Sequence, residues 1–142
     1  SFMIVYLLDT DIVSLLQDGN KAVISKIVSF PPKQIATSII TVEEQLSAWY
    51  TLLRKARSPE QLVPVYQRMT TTVRFLSSLH LLTFATKAAD LNVTLRKQHP
   101  RAGRMDLRIA AIARAHDVVL VTRNVADFAD IEGLHLEDWS KG

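Results

Sequence analysis

The sequence predicts an α/β domain built on a mainly parallel central sheet of about four or five strands flanked by helices. Short apolar runs of strand length alternate with longer segments whose apolar residues recur at helical spacing. This alternation is typical of parallel sheets with right-handed helical crossovers. The chain has 142 residues, 48% of them hydrophobic, which is enough for one domain with a substantial core and too little for two.

The first predicted strand, residues 4–8, is an apolar run that ends at Asp9 and Asp11. A short run bounded by polar residues suits a central strand that is buried on both faces. Ligands of open α/β sheets bind outside the carboxyl ends of such strands, where Asp9 would lie. Asp9 also precedes a predicted helix, and Asp is a good N-cap residue. This segment alone therefore leaves a catalytic role and a capping role open for Asp9.

The remaining elements follow from apolar periodicity and from turn residues. Ser58 and Pro59 are a typical helix start, and the short connection before them predicts a helical hairpin. The predicted helices are residues 11–17, 22–28, 41–57, 59–77, 85–98 and 105–116. The predicted strands after the first are residues 34–39, 79–84, 118–121 and 134–136.

Two aromatic residues of the hairpin, Trp49 and Tyr50, share the helical phase of the neighbouring leucines. This phase favours a role in the core or in a subunit contact over stacking on nucleic acid bases.

Composition excludes several classes of site and partner. There are no cysteines, so disulfides, thiolate metal sites and cysteine nucleophiles are excluded. A net charge of +3 permits a polyanionic partner without identifying one. No apolar run is long enough to cross a membrane and no secretory signal is evident, so we expect a cytoplasmic protein. Ser1 and Phe2 are interpreted as a cloning remnant, which leaves residues 3–142 as a single domain.

Polar residues that follow strands or begin helices are the candidate site. In a parallel sheet such positions share one edge and can converge on one pocket. A cluster of carboxylates repels itself unless protons or a cation compensate, and a hard ion such as Mg²⁺ suits oxygen ligands. The four histidines show no metal-binding spacing. The candidates are Asp9, Glu44, Asp106, Asn124 and Asp127.

Each of these acids also has a structural alternative. Thr41 and Glu44 fit a capping box, Asp106 fits the first turn of its helix, and Asp127 fits a loop turn. Among the nearby basic residues, Arg104 and Arg123 are the preferred candidates for contacts to a phosphate-bearing substrate.

Six segments in order along the chain form a recognisable set, namely Leu8-Asp9-Thr10-Asp11-Ile12, residues 38–44, residues 106–111, residues 121–128, Ile131-Glu132-Gly133-Leu134 and Glu137-Asp138-Trp139. Together they span nearly the whole chain. In this order they resemble the segments of PIN-domain ribonucleases, in particular VapC-type toxins of bacterial toxin–antitoxin pairs.

The resemblance implies a three-layer PIN fold and Mg²⁺- or Mn²⁺-dependent hydrolysis of RNA by a metal-activated water. It assigns Asp9, Glu44 and Asp106 as metal-binding acids, with Thr10 and Thr122 as polar support. Glu44 is preferred to Glu43 because it lies three residues after Thr41, as the family pattern requires. Many PIN domains carry Asp where this chain has Asn124, so Asn124 or Asp127 would fill the fourth position.

The resemblance also implies homodimerisation and inhibition by a small protein antitoxin. We expect the helical hairpin, residues 42–76, to form the antitoxin or dimer contact, through residues such as Leu46, Trp49 and Leu53. Two alternatives stay open. Asp9-Thr10-Asp11-Ile12-Val13 fits the nucleophile motif of haloacid-dehalogenase-type phosphatases, in which Asp9 would be phosphorylated. A PIN module that binds RNA or a partner without catalysis is the other.

Overall fold

The computed structural model describes residues 3–141. Ser1 and Phe2, interpreted as a cloning remnant, and Gly142 lie outside the described residues. The strands are β1 (Tyr6–Leu8), β2 (Ile35–Ser38), β3 (His80–Leu82), β4 (Val119–Val121) and β5 (Leu136–Glu137). The helices are α1 (Thr10–Gln17), α2 (Lys21–Val28), α3 (Ile39–Lys55), α4 (Pro59–Ser77), α5 (Thr86–Gln98), α6 (Arg104–His116) and α7 (Val125–Phe128).

The five strands form one sheet in the order β3-β2-β1-β4-β5, and every pairing is parallel. The predicted fold class is therefore confirmed. Leu8 at the end of β1 pairs with Thr37 on one side and with Val121 on the other. The register places the residues that follow these positions along a single edge of the sheet.

Adjacent residues of β1 point to opposite faces of the sheet, and each face carries its own hydrophobic core. Leu7 packs in a cluster that includes Leu95 of α5 and Leu107 of α6. Leu8 packs in the other cluster, with Ile12 of α1 and Leu76 of α4. The sheet thus lies between two layers of helices, in agreement with the three-layer arrangement that the family resemblance implies.

Several element boundaries differ from the sequence prediction. Helix α3 begins at Ile39, two residues earlier than predicted, because the Ser38 hydroxyl caps it by accepting from the Thr41 amide at 3.2 Å. The capping-box interpretation of Thr41 and Glu44 was therefore wrong, since Thr41 lies inside the helix. The short helix α7 was not predicted, and β5 begins two residues later than expected.

The predicted helical hairpin is present as α3 and α4, which pack together between β2 and β3. The indole of Trp49 donates a hydrogen bond to the Thr72 hydroxyl at 2.9 Å, and the Arg68 guanidinium lies 5.9 Å from the ring centre. These contacts confirm that Trp49 packs within the hairpin. Among residues 3–141, none of the helices combines the length and apolar character needed to cross a membrane.

Candidate active site

The candidate site lies where the strand order reverses direction. From the central strand β1 the chain moves to β2 on one side and returns to β4 on the other, which leaves a crevice at their carboxyl ends. The Asp9 amide donates to the Val121 carbonyl at 3.0 Å, so Asp9 extends β1 along β4 to this edge.

Asp9 is buried beneath this edge, with 5% of its surface exposed. Its Oδ1 accepts from the Ile12 amide at 2.9 Å, and its carboxylate also accepts from the Thr122 side chain. The pKa of Asp9 is raised to about 6, chiefly by burial and to a smaller extent by the charges of Asp11 and Asp106, against the lowering effect of the two hydrogen bonds. Asp9 therefore caps α1, and burial at the switch point also makes its ionised form costly. The capping role and a role in the site are compatible.

Glu44 is held toward the site by two threonines. The Thr10 hydroxyl donates to Glu44 Oε1 at 2.5 Å, and the Thr10 and Thr41 hydroxyl oxygens are 3.0 Å apart. Because Thr10 has a single hydroxyl proton, which goes to Glu44, Thr41 donates to Thr10 in this chain of hydrogen bonds. The neighbouring Glu43 is exposed to solvent. Within residues 3–141, Glu44 is therefore tied to residues of the site, whereas Glu43 is not, and the choice of Glu44 as a metal ligand stays a prediction.

Asp106 lies in the first turn of α6, which begins after the N-cap residue Gly103. A Cβ atom at Gly103 would lie 3.2 Å from Asp106 Oδ2, so glycine leaves room for the carboxylate at this position. Burial raises the pKa of Asp106, and the charges of Glu44, Asp127 and Asp11 raise it further. Groups from α1, α3, α6 and α7 therefore share one electrostatic environment.

An open cavity of about 630 Å³ leads to Asp106, and we call it the acidic cavity. Its carboxylates are those of Asp106, Asp127 and Asp130, and Arg101 contributes a cation to its wall. Asp127, predicted as a possible fourth acid, thus lines the same cavity as Asp106. It is an exposed residue of α7 and not part of a loop turn.

Asp11 is the acid that sequence analysis left out of the site. Its Oδ2 accepts from the Asn124 side-chain amide at 2.8 Å and lies 3.8 Å from Arg123 Nη2. The Asn124 backbone amide donates to the Thr122 hydroxyl at 3.0 Å. Asn124 and Arg123 are therefore tied to Asp11 across the carboxyl ends of β1 and β4. The available signal for Asp11 was that a buried strand is followed by two acids separated by a single residue.

One predicted site residue lies elsewhere. Arg104 does not line the acidic cavity but a neighbouring cavity whose other charged residues are basic. Of the other candidates, Thr10 contacts Glu44, and Thr122 contacts both Asp9 and Asn124.

The donor set suits a hard cation because it offers carboxylate, hydroxyl and amide oxygens. Within residues 3–141, no three His, Asp or Glu side chains are arranged as ready-made ligands of one metal ion. The raised pKa values of Asp9 and Asp106 show that their negative charges are incompletely compensated by the protein itself. A bound cation would supply that compensation.

A parallel three-layer α/β fold with converging acids at its switch point defines the chain as a PIN-type nuclease domain. No family model matches the sequence. A ribonuclease VapC1 of Haemophilus influenzae is 30% identical over 96% of this chain and 99% of its own length. The tRNA(fMet)-specific endonuclease VapC of Shigella flexneri is 25% identical over 97% of this chain and 100% of its own length.

Solved structures give the same result. The DNA-bound VapBC structure from Salmonella typhimurium includes a chain that matches with a TM-score of 0.72 and 26% identity, over 96% of this chain and 99% of that one. A toxin–antitoxin complex from Klebsiella pneumoniae matches with a TM-score of 0.70 and 28% identity, over 94% and 97% of the two chains. This chain belongs to the VapC ribonuclease family.

Proposed function

We propose that this protein is the toxin of a toxin–antitoxin pair and cleaves RNA by using Mg²⁺ or Mn²⁺ held at the acidic switch point. The observation that carries the proposal is the convergence of Asp9, Glu44 and Asp106 at one sheet edge in a member of a ribonuclease family. These three residues would hold the ion, with Asn124 or Asp127 in the fourth position.

The electrostatics of the site support a cation there. The pKa values of Asp9 and Asp106 are raised by burial and by neighbouring carboxylates, and a positive ion would relieve both effects. Mg²⁺ usually keeps several waters and binds through only one or two carboxylates. A preformed group of three ligands is therefore not required for binding.

A bound divalent ion would supply an activated water and would stabilise the developing charge on the phosphodiester oxygens. The chain's own residues set the positions of the acids. Thr10 orients Glu44, Thr122 orients Asp9, and Asn124 holds Asp11. Arg123, half exposed beside Asp11, would contact a substrate phosphate.

Cleavage of total cellular RNA by the purified, antitoxin-free protein tests this proposal. We expect Asp106→Asn and Glu44→Gln to lower the cleavage rate roughly 10²- to 10⁴-fold, because each removes a group at the reacting centre. The matched variant Glu43→Gln changes an exposed neighbour and should retain activity. Excess chelator should abolish cleavage, Mg²⁺ or Mn²⁺ should restore it, and sequencing of the new RNA ends would reveal the target.

Three results would contradict the proposal. Cleavage that persists in chelator would exclude a metal mechanism. Metal binding by the folded protein without cleavage would favour a module that binds RNA or a partner only. Transfer of phosphate to Asp9 would favour the phosphatase alternative.

The toxin role requires a protein antitoxin, and we propose that the α3–α4 hairpin binds it. Exposed apolar side chains line the hairpin, namely Tyr50, Leu52, Val63 and Tyr66. A cavity of about 750 Å³ lies beside it, with Leu16, Trp49 and Phe75 among its walls. The relatives of known structure include complexes of a toxin with its antitoxin. From the sequence, this hairpin is also a candidate for the contact between two copies of the chain. We treat homodimerisation as a separate proposal.

A further inference from the structure

A second cavity, of about 500 Å³, lies beside the acidic cavity, and we call it the basic cavity. Arg96, Lys97 and Arg104 line it together with His99, and no Asp or Glu is among its walls. Residues 96–105 contain four Arg or Lys and no acid, whereas the whole chain of 142 residues has a net charge of +3. Positive charge is therefore concentrated at this one place.

These cations are not explained by internal ion pairing. The ion pair found among residues 3–141 joins Arg123 to Asp11. Arg96, Lys97, Arg101 and Arg104 are all exposed, and within that described part no carboxylate lies within 4 Å of them. Their positive charges are thus available to an external anion.

Helix stabilisation accounts for only some of them. Arg96 and Lys97 lie in the last turn of α5, where cations favour the helix dipole. Arg104 is the first residue of α6, where the dipole disfavours a cation. An arginine at this end of α6 therefore costs some helix stability, which favours a role in binding.

The two cavities share a wall. His99, Pro100, Ala102 and Leu107 line both, so the segment between α5 and α6 separates them. Arg101 on this segment lines the acidic cavity. A chain of phosphates that crossed the segment would meet cations on the way to the acids.

We propose that the basic cavity binds backbone phosphates of the RNA strand next to the bond that is cleaved. This inference rests on the proposed function and deepens it. The acidic cavity provides the chemistry, and by itself it would repel a polyanion. The basic cavity supplies the attraction, through Arg and Lys contacts that are independent of RNA sequence.

RNA affinity measured without cleavage tests this inference. In an Asp106→Asn background, the fluorescence anisotropy of a labelled single-stranded RNA of mixed sequence gives Kd across a range of salt concentrations. Adding Arg96→Gln and Lys97→Gln should weaken binding roughly tenfold and reduce the slope of log Kd against log salt by about 1.4, because two phosphate contacts are lost. These two residues lie on α5, so α6 and its carboxylate position are left intact.

The chain offers a matched control in Arg54 and Lys55, which are also a consecutive Arg-Lys pair in the last turn of a helix. Helix α3 has 17 residues, so this pair lies about 25 Å along the axis from the end that faces the site. Arg54→Gln with Lys55→Gln makes the same change in net charge and should leave Kd and the salt slope unchanged.

If the Arg54 and Lys55 substitutions weakened RNA binding as much as the Arg96 and Lys97 substitutions, the inference would be overturned, because the effect would reflect net charge alone. Unchanged RNA binding in the Arg96 and Lys97 variant would also overturn it. If that variant instead lost binding to polyglutamate, the cavity would be a site for an acidic protein segment. Failure of the proposed function would appear separately, as absence of cleavage by the wild-type protein.

Discussion

At the scale of single residues, Asp9 shows how one side chain serves both folding and chemistry. It accepts the Ile12 amide as the N-cap of α1 and lies buried at the switch point of the sheet. The capping bond fixes the carboxylate, while burial makes its ionised form costly. A metal-binding acid at this position would therefore reduce the stability of the metal-free protein.

The pKa of Asp9 predicts a pH-dependent effect of Asp9→Asn. The folded-state pKa of about 6 lies above the ordinary value of 3.8, so between pH 3.8 and about pH 6 the folded protein keeps a proton on Asp9 that the unfolded chain has lost. The free energy of unfolding of the wild type therefore falls as pH rises through this range. Because asparagine keeps the capping oxygen and carries no charge, Asp9→Asn should stabilise the metal-free protein by roughly 3 kcal/mol at most above pH 7.

Urea unfolding in chelator, from pH 4 to pH 8, measures this effect. The difference between variant and wild type should shrink as pH falls below about 6. A difference that stayed constant across this range would show that the carboxylate charge is not its cause. The same variant should lose RNA cleavage, so stability and activity would change in opposite directions.

At the scale of elements, the site is made from places where strands end and helices begin. Asp9 caps α1, Ser38 caps α3, and Gly103 precedes α6. At α1 and α6 the positive end of the helix dipole lies near a carboxylate, that of Asp9 and of Asp106, and offsets part of its charge. The remaining charge is what a cation would neutralise.

The exposed face of the α3–α4 hairpin predicts an effect on antitoxin binding. Val63 and Tyr66 are 52% and 54% exposed and lie three residues apart on α4, so they share one face. Val63→Asp with Tyr66→Asp should weaken antitoxin binding by a factor of ten or more. A tenfold change in Kd corresponds to roughly 1.4 kcal/mol, which is no more than the burial of one large apolar side chain contributes. Calorimetric titration with the purified antitoxin would measure the loss.

Val28→Asp is the control for that experiment, because Val28 is 75% exposed at the end of α2. Thermal unfolding and RNA cleavage without antitoxin should be unchanged in both variants. If the hairpin variant kept its antitoxin affinity but changed the mass of the free protein in solution, the surface would be a dimer contact instead.

At the scale of the whole molecule, metal binding and stability should be linked. An ion that binds only the folded protein stabilises it by about 2.7 kcal/mol at a concentration of one hundred times Kd. We expect Mg²⁺ to raise the melting temperature of the wild type and of Glu43→Gln. Glu44→Gln and Asp106→Asn should show a much smaller shift, because each lacks a proposed ligand.

Differential scanning fluorimetry measures this shift without any need for activity. Potassium chloride at equal ionic strength is the control, since screening of the acidic cluster by salt also stabilises the protein. An equal shift in both salts, or in all four proteins, would argue against a specific metal site.

The sequence predicted the fold class, the parallel sheet and most helices, because these depend on local periodicity and turn residues. Asp9 was a candidate because it follows a strand, Asp106 because it lies in the first turn of a helix, and Glu44 because of the family pattern; their role as metal ligands stays a prediction. The start of α3 was missed because Ser38 ends β2 and caps the helix at once, so no loop marks the boundary. Helix α7 was missed because four residues are too few to show a helical period.

Only the tertiary structure decided which polar groups meet. It tied Asp11 to Asn124 and Arg123 across 113 and 112 residues of chain, and it placed Arg104 in the basic cavity and not with the acids. The physical reason is that hydrophobic periodicity is a property of neighbours in sequence. Contacts between side chains at the edge of a sheet depend instead on which strands become neighbours, and no local pattern specifies that order.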